Sequence, residues 1–343
     1  MDGAEAPMTE LRHTQITGIG SSLPENVVPN LWFESFVETD DEWIRDRTGI
    51  EQRHFVEEGE STASLATEAG RQALEAAGVE PGSIDLLIVA TCSPNRLLPA
   101  TAAFVQQGLG MDCPAFDLNA ACAGFVYGVS VASSQIRAGA ADRVLVIGAE
   151  VLSRLLNLHD RTTCVLFGDG AGAAVLSAAA EPGVIDCRLA LDGSQAELLT
   201  IPAGASEEPS SPEAIEQART KIAMPDGPAL FRRAVTTMAD ISAELLEKAG
   251  VSPSSVNWVV AHQANSRIIG SVGRRLGIDE DRVIVDIAEV GNTSAASIPI
   301  ALDRAWRSGK LQPGDLIVTP AFGAGFAWGA SLIRWTLPSH AAV

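Results

Sequence analysis

An internal repeat is the feature that most restricts how this 343-residue chain can fold. The run AGVEPGSIDLLIV, beginning at Ala77, recurs as AGVSPSSVNWVVA beginning at Ala249, 172 positions later. Two further pairs follow in the same order: FGDGAGAAVLS from Phe167 with FGAGFAWGASLI from Phe322, and IRAG from Ile136 with WRSG from Trp306. Three matches in one order indicate that the chain contains one architecture twice.

The elements within each half favour a layered α/β fold. Ala/Leu-rich segments with helical spacing alternate with apolar strand-like runs, which is typical of sheets covered by helices. We place the halves at 1–180 and 181–343. The Pro-rich segment 203–229 interrupts the pattern and is predicted to be a long surface loop, and 1–11 to be a mobile tail.

Charge and cysteine usage limit the classes of partner and compartment. The formal net charge of −19 repels phosphate backbones, so we do not expect nucleic acid as a partner. Five cysteines without a CxxC pair indicate reduced thiols in a cytoplasm, and the acidic first ten residues lack the apolar core of a signal peptide. The uncharged stretch 118–136 contains several polar residues and is predicted to be a buried core helix, not a membrane span. No ligand spacing indicates a metal.

Cys122 is the candidate nucleophile. When the third repeated pair is extended backwards without gaps, Cys122 in AACAG falls opposite Asn292 in VGNTS, each ahead of a helix rich in small residues. A cysteine at a helix N-terminus meets the positive end of the macrodipole, which favours the thiolate. The alternative, a small buried apolar residue, stays open on this evidence.

His262 is the candidate partner of that thiol. It directly follows the apolar run WVVA, and α/β active sites gather at the carboxyl ends of such strands. A structural histidine is the alternative, and Asn292 alone would be a turn or cap residue. Gly168-Asp-Gly matches no phosphate-loop spacing, so we interpret it as a tight turn. Taken together, the three candidates predict a thiol, an imidazole and a carboxamide in one cleft.

Six stretches carry a resemblance to a known family. They are TDDEWIRDRTGIEQRHF from Thr39, CPAFDLNAACAGF from Cys113, FGDGAGAAVL from Phe167, HQANSRII from His262, GNTSAASIPIALD from Gly291 and AFGAGFAWG from Ala321. Together they resemble β-ketoacyl-acyl carrier protein synthase III of the thiolase superfamily. The resemblance implies a five-layer α-β-α-β-α thiolase fold, a homodimer, and an acyltransferase that begins type II fatty-acid synthesis.

The resemblance also implies a mechanism. Cys122 would accept an acyl group from acyl-coenzyme A, and the backbone N–H groups of Cys122 and Ala324 would hold the oxyanion. His262 and Asn292 would then stabilise the enolate formed when malonyl-acyl carrier protein loses CO₂. No metal or organic cofactor is implied, because acyl-CoA is a substrate.

The resemblance assigns further residues to the substrates. Trp43 and Arg161 are expected to sandwich the adenine of CoA, with Thr39, Arg47 and Asn265 as secondary contacts and with Leu98 and Phe322 in the acyl pocket. A basic patch is expected to dock the acidic carrier protein, comprising Gln263, Arg267, Arg274, Arg275 and Arg232. Thr162 and the MPDGPALFRR run from Met224 depart from the family pattern and put the pantetheine contacts in doubt.

Other functions remain open at this point. A related enzyme of polyketide or other secondary metabolism could pass a starter unit or acyl group from Cys122 onwards, and the altered 203–229 loop leaves that alternative open. A papain-like Cys-His-Asn hydrolase would not contain the internal duplication. A non-catalytic partner subunit would have no reason to keep all three polar residues. Leu98 stands where some members of the family carry a larger Phe, which suggests a pocket for branched or longer primers. No motif encodes the chain length of the primer.

Overall fold

The computed structural model describes residues 12–340, so the predicted mobile tail 1–11 lies outside the described residues. The strands are β1 (His13–Ser22), β2 (Val27–Pro29), β3 (Gln52–His54), β4 (Leu86–Ala90), β5 (Ala115–Leu118), β6 (Arg143–Glu150), β7 (Gly170–Ala179), β8 (Val184–Leu191), β9 (Trp258–Val259), β10 (Leu316–Gly323) and β11 (Ala327–Arg334). The helices are α1 (Asp41–Thr48), α2 (Thr62–Ala77), α3 (Thr101–Leu109), α4 (Gly124–Arg137), α5 (Arg161–Cys164), α6 (Pro212–Glu216), α7 (Gly227–Ala249), α8 (Ser266–Leu276), α9 (Ile287–Val290) and α10 (Ser297–Arg307).

Two sheets share one strand pattern. The first has the order β1-β7-β6-β4-β5 and the second the order β8-β11-β10-β9. In both, a parallel pair (β6 with β4, β10 with β9) adjoins an antiparallel pair (β6 with β7, β10 with β11). The second sheet therefore repeats the first four positions of the first. This confirms the predicted duplicated α/β architecture, while the proposed division at 180/181 stays a prediction.

Helices separate and cover the two sheets in five layers. Helices α2 and α3 pack on the outer face of the first sheet, and α7, with α8 alongside, covers the outer face of the second. Helices α4 and α10 lie between the sheets, where Phe125, Val129, Ile298 and Leu302 are fully buried. Burying each such side chain contributes about 1.5–3 kcal/mol. The α-β-α-β-α layering predicted above is confirmed.

The repeated AGV runs end equivalent helices. Helix α2 ends at Ala77 and α7 at Ala249, and in each case the following glycine adopts a left-handed conformation, with φ 64° at Gly78 and 67° at Gly250. Glycine adopts this conformation without a Cβ penalty, so the motif stops the helix at the same point in both halves.

The ungapped pairing of Cys122 with Asn292 is wrong. Helix α4 has 14 residues and α10 has 11, so an ungapped alignment anchored at the helix ends is out of register by three residues before the helices begin. The structural counterpart of Asn292 is Asn119, because each accepts a hydrogen bond on its side-chain oxygen from the backbone N–H two residues later (Ala121 at 3.1 Å, Ser294 at 2.9 Å). Cys122 therefore corresponds to Ala295, and only one half carries a thiol.

The long uncharged stretch 118–136 lies in the hydrophobic core. Most of 118–136 forms α4, buried between the sheets as predicted. Among the residues described, no helix combines the length and apolar character needed to cross a membrane.

Candidate active site

Cys122 lies in a one-turn 3-10 segment, Ala121–Ala123, that leads into α4. The end of β10 approaches it closely: a Cβ at Gly323 would lie 2.6 Å from the Cys122 backbone nitrogen, so this position needs glycine. Ala324, whose N–H is the second predicted oxyanion donor, comes next in the chain. The backbone thus brings the two predicted donors to one place, and their role stays a prediction.

The ionisation of Cys122 differs from the expectation. Burial raises the pKa of its thiol to about 12, with a smaller opposing effect from the Ser294 hydroxyl and a further increase from the Glu150 charge. The helix N-terminus favours a thiolate, but it does not compensate for removing that charge from water. Cys122 therefore rests as a thiol, and a base must take its proton when it attacks.

His262 is fully buried just beyond β9. Its Nδ1 lies 2.7 Å from the Ser297 hydroxyl, which also accepts the Gln263 N–H at 3.2 Å, so the hydroxyl proton is free to point at Nδ1. This arrangement leaves the ring proton on Nε2, which has no partner among the described residues. Burial lowers the pKa of His262 to about 3, so the ring is neutral and offers an N–H donor.

This depressed pKa predicts a histidine that stays neutral in acid. Because the folded-state value of about 3 lies below the ordinary 6.5, lowering the pH should leave the His262 ring unprotonated at about pH 4. The measurement is NMR of ¹³C-labelled histidine, with the resonance assigned by its loss in His262→Ala. A titration midpoint near 6.5 would contradict the buried, neutral ring.

Asn292 is held by both its backbone and its side chain. Its N–H donates to Leu166 O at 2.9 Å and its carbonyl accepts from Gly168 N at 3.0 Å. The side-chain oxygen accepts from Ser294 N, which orients the amide so that its NH₂ group is the donor left for a ligand. The predicted tight turn at Gly168 is wrong: Phe167 forms a parallel bridge with Asn292 and the chain continues through Gly168 and Asp169 into β7, so this segment holds Asn292 by backbone pairing.

Two cavities meet at Cys122. The narrow one, about 220 Å³, is bounded by Trp43, Arg161, His262 and Asn292, and the wide one, about 990 Å³, by Tyr127, the Leu199–Ala205 region and Ala324. Cys122 lines both. A thioester bound with its carbonyl at Cys122 would therefore extend its two substituents into different cavities.

Four of the five predicted CoA contacts, Trp43, Arg47, Arg161 and Asn265, line the narrow cavity, and Thr39 does not. The guanidinium carbons of Arg47 and Arg161 lie 4.5 and 4.6 Å from the Trp43 ring centroid. Arg161 stacks directly on the indole, so a base could enter between them only after Arg161 moves. The Thr39 hydroxyl is buried and has no partner among the described residues, and its role as a CoA contact stays a prediction. Asn265 lines this cavity, but its amide already joins α8 to α1 by donating to Arg47 O at 2.8 Å.

The two departures from the family pattern have local explanations. Thr162 adds a hydroxyl that bonds Asp160, the N-cap of α5, at 2.6 Å. Met224 still lines the narrow cavity, and Asp226 caps the start of α7. Thr162 and the run from Met224 thus each lie at the first turn of a helix, α5 or α7, that borders the narrow cavity.

The two residues predicted to line the acyl pocket, Phe322 and Leu98, both lie outside the wide cavity. Phe322 lines the narrow cavity and not the wide one, edge-on to His262 with 5.6 Å between the ring centroids, and its assignment to the acyl pocket stays a prediction. Leu98 is 85% exposed and lines neither cavity, so its role across a dimer interface stays a prediction.

The five residues predicted to dock the carrier protein differ in exposure, and their docking role stays a prediction. Gln263 is fully buried, and its amide binds Ala261 O, Ile284 O and Asp286 N, so it cannot face a partner. The four arginines are exposed. Arg274 pairs with Glu280 and Arg275 with Asp240, whereas Arg232 and Arg267 have no carboxylate within 4.0 Å in residues 12–340.

Three polar residues of the site were missed from the sequence: Glu150, Ser294 and Ser297. Ser294 and Ser297 lie in the TSAAS run directly after Asn292, so the sequence shows that they are close to it. Their hydrogen-bond partners, Glu150 and His262, are distant in the sequence. Within residues 12–340, no group of three or more His, Cys, Asp and Glu side chains could hold a metal ion.

The chain resembles known proteins along most of its length. Residues 116–193 match the model of 3-oxoacyl-[acyl-carrier-protein] synthase III, and 246–335 the model of its C-terminal part. The β-ketoacyl-[acyl-carrier-protein] synthase III of Rhizorhabdus wittichii is 48% identical over 95% of this chain and 100% of its own. The chain belongs to this family.

Solved structures place the fold in the same family. The synthase III from Aquifex aeolicus superposes with a TM-score of 0.86 at 44% identity, over 94% of this chain and 100% of its own. The priming β-ketosynthase of the R1128 polyketide pathway has a TM-score of 0.89 at 35% identity, over 98% and 100%. The chain is thus a condensing acyltransferase with a thiolase-like fold, as the motifs predicted.

Proposed function

We propose that this synthase III family member condenses an acyl-CoA primer with malonyl-acyl carrier protein. The products are 3-oxoacyl-acyl carrier protein, CO₂ and CoA, and the reaction initiates type II fatty-acid synthesis. The observation that carries the proposal is the position of Cys122 at the junction of two cavities, with the donors of His262 and Asn292 at the narrow one.

Acylation is the first half-reaction. The Cys122 sulfur attacks the primer thioester, the acyl chain occupies the wide cavity, and the pantetheine arm lies in the narrow one. The backbone N–H groups of Cys122 and Ala324 stabilise the oxyanion. CoA leaves before the second substrate enters, which gives ping-pong kinetics.

Condensation is the second half-reaction. Malonyl-carrier protein enters the narrow cavity, and His262 Nε2–H and the Asn292 amide donate to its thioester oxygen. These donors favour the enolate that forms as CO₂ leaves, and the resulting carbanion attacks the Cys122 thioester. A neutral His262 suits this role because it donates a hydrogen bond without first gaining a proton. Departing CO₂ supplies the carbanion, so no metal or organic cofactor takes part.

The CoA site predicts a difference between two arginines of α1. Arg47 stacks on Trp43, whereas Arg45 pairs with Asp41 and Glu51 at 2.8 and 2.9 Å, away from the cavity. Arg47→Ala should raise the KM for acyl-CoA roughly 3- to 30-fold, the range of one cation–π contact. Steady-state kinetics should show no such change in Arg45→Ala. An equal effect in both variants would count against the assigned base site.

A homodimer is part of the proposal. In the part of the chain that the structure describes, strand β5 is an edge strand paired only with β4, and it presents a partly exposed Phe116; Leu97 and Leu98 are 83% and 85% exposed. An unprotected apolar edge invites pairing with a second copy. Leu97 also lines the wide cavity, which supports a partner closing the acyl pocket through Leu98.

The interface predicts that a charge on β5 separates the subunits. Phe116→Lys places a cation in the paired edge and should give a monomer by light scattering, with loss of condensing activity as the acyl pocket opens. Val27→Lys, on the exposed face of β2, is the control and should stay dimeric. A monomeric wild type, or a dimeric Phe116→Lys protein, would refute this interface.

Surface charge supports docking of the carrier protein, and the state of the cysteines supports a cytoplasmic location. Arg232 and Arg267, which have no acidic partners among the described residues, support docking of the acidic carrier protein. All five cysteines are unpaired, which supports a reducing cytoplasm.

The function is tested with a panel of straight and branched acyl-CoAs and malonyl-carrier protein. We expect a 3-oxoacyl-carrier product, with branched or longer primers accepted because Leu98 is small. Use of acetyl-CoA alone would refute the primer inference. Rapid acylation without any 3-oxo product would instead indicate a starter-transfer enzyme.

A further inference from the structure

A buried carboxylate that the mechanism above does not use lies at the end of β6. Glu150 is fully buried, and such a group is costly to remove from water. Its two oxygens accept hydrogen bonds from six donors: the Thr91, Ser93 and Ser294 hydroxyls, the Cys92 thiol, and the backbone N–H groups of Cys92 and Ser93. Five of these donors belong to the loop 91–93. The sixth, the Ser294 hydroxyl, belongs to the turn that directly follows Asn292, so Glu150 joins that turn to β6.

Ser294 has a left-handed backbone conformation, with φ 50°. Residues other than glycine disfavour this region and persist in it only where the surrounding structure holds them. The Ser294 hydroxyl donates to Glu150 Oε1 at 2.9 Å, while its other contact, the Cys92 sulfur, is longer at 3.9 Å. The Ser294 backbone N–H donates to Asn292 Oδ1 at 2.9 Å. One backbone conformation therefore directs the hydroxyl to Glu150 and the N–H to Asn292.

The equivalent turn in the first half is held in a different way. Ala121, the counterpart of Ser294, also has a positive φ, 46°, and its N–H donates to Asn119 Oδ1. Its side chain offers no hydrogen bond, but Gly323 packs against it so closely that a Cβ on Gly323 would lie 3.0 Å from the Ala121 Cβ. Gly323 and Glu150 hold equivalent positions, since each ends an eight-residue strand and pairs with the first residue of the next strand. Close packing thus holds one turn, and a carboxylate holds the other.

The direction of the Asn292 amide decides what it offers a substrate. Its oxygen accepts from the Ser294 N–H, so its NH₂ group is the part that can donate to a ligand. An amide rotated by half a turn would present an acceptor oxygen to the thioester oxygen of malonyl-carrier protein. Asn292 is itself buried, which leaves water little access to replace the lost contact. The Ser294 N–H therefore keeps Asn292 in the donating orientation.

We propose that Glu150 is a positioning residue for condensation: it holds Ser294 in the left-handed conformation, and Ser294 thereby keeps the NH₂ group of Asn292 directed at the malonyl thioester oxygen. This inference rests on the proposed function, in which Asn292 is a donor to the enolate. No proton is transferred to or from Glu150. Acylation of Cys122 does not use the Asn292 donor, so the effect is confined to the second half-reaction.

Two substitutions of Ser294 test the proposal, because both remove the hydroxyl but only one keeps a side chain that restricts φ. Ser294→Ala should slow CO₂ release from malonyl-carrier protein roughly 5- to 150-fold, the preference against a left-handed residue other than glycine. Ser294→Gly adopts a positive φ freely and should stay within about 3-fold of the wild type. Acylation by acyl-CoA, followed by intact-protein mass spectrometry, should be unchanged in both. Thr91→Val, which removes another hydroxyl from Glu150, is the matched control and should leave both half-reactions intact.

Glu150→Gln completes a double-mutant cycle with Ser294→Gly. Glutamine places an NH₂ group among the donors that Glu150 accepts, so it should slow CO₂ release by about 5-fold or more when residue 294 is serine. When residue 294 is glycine, the same change should cost less than about 2-fold. A carboxylate with a purely structural role would slow both half-reactions and give equal losses in the two backgrounds. Circular dichroism checks folding, and the Ser294 variants decide the question if Glu150→Gln fails to fold.

Three results would overturn the proposal: CO₂ release by Ser294→Ala at the wild-type rate, equal losses in Ser294→Ala and Ser294→Gly, or acylation that falls as far as CO₂ release. If the wild type itself releases no CO₂, the proposed function fails instead. Crystal structures then test the inference alone. The hydrogen bond from the backbone N–H of residue 294 to Asn292 Oδ1 should be lost in Ser294→Ala and kept in Ser294→Gly, and its retention in Ser294→Ala would contradict the role of Glu150.

Discussion

Cys122→Ala is expected to form no acyl-enzyme with any acyl-CoA and to lose condensation by roughly 10⁴-fold or more, because removing a nucleophile abolishes the covalent route. Cys122 lines both cavities, as Phe167 and Leu199 also do, and it lies beside the predicted oxyanion donors. Intact-protein mass spectrometry after mixing with acyl-CoA measures the first effect, and formation of 3-oxoacyl-carrier protein measures the second.

Cys187→Ala is the control for this experiment. Cys187 lies on β8, bonded to Ser331 at 3.5 Å and outside both cavities, and burial raises the pKa of its thiol as it does for Cys122. The control should acylate normally. Persistent acylation of Cys122→Ala would show that another residue carries the acyl group.

His262→Ala and Asn292→Ala are expected to separate the two half-reactions. Each variant should keep Cys122 acylation while losing about 10²–10³ in malonyl-carrier decarboxylation and condensation, since each lacks one donor to the developing enolate. The orphan Nε2 of His262 and the oriented amide of Asn292 are the structural basis. Labelled CO₂ release and single-turnover acylation are measured in parallel.

His13→Ala, an exposed position on β1, is the control for His262 and should leave both half-reactions intact. Equal losses of acylation and decarboxylation in His262→Ala would contradict the division of labour. That result would instead make the imidazole the base that activates Cys122, in conflict with its depressed pKa.

Sequence reasoning succeeded where the signal was local or repeated. The AGV runs predicted equivalent helix ends, and the structure has left-handed glycines at both. The motifs around Cys122, His262 and Asn292 indicated three residues that the fold brings to one cavity. These successes share a cause: each motif encodes its own turn or helix start.

Predictions failed where distant residues decide the outcome. A helix N-terminus favours a thiolate, but burial by both halves raises the pKa of the Cys122 thiol. Gln263, which follows the candidate catalytic His262, was predicted to contact the carrier protein. Its buried amide instead hydrogen bonds the backbone at Ile284 and Asp286. Glu150 gave no signal, because the loop that bonds it lies more than 50 positions earlier in the chain.

The central claim is that a thioester on Cys122 is discharged by a decarboxylating malonyl unit. The direct measurement is to isolate the wild-type acyl-enzyme, add malonyl-carrier protein, and follow both proteins by intact-mass spectrometry while collecting CO₂. We predict that Cys122 loses its acyl group as one CO₂ is released and the carrier gains a 3-oxoacyl chain. An acyl-enzyme that persists, or an acyl group transferred without CO₂ release, would contradict the account.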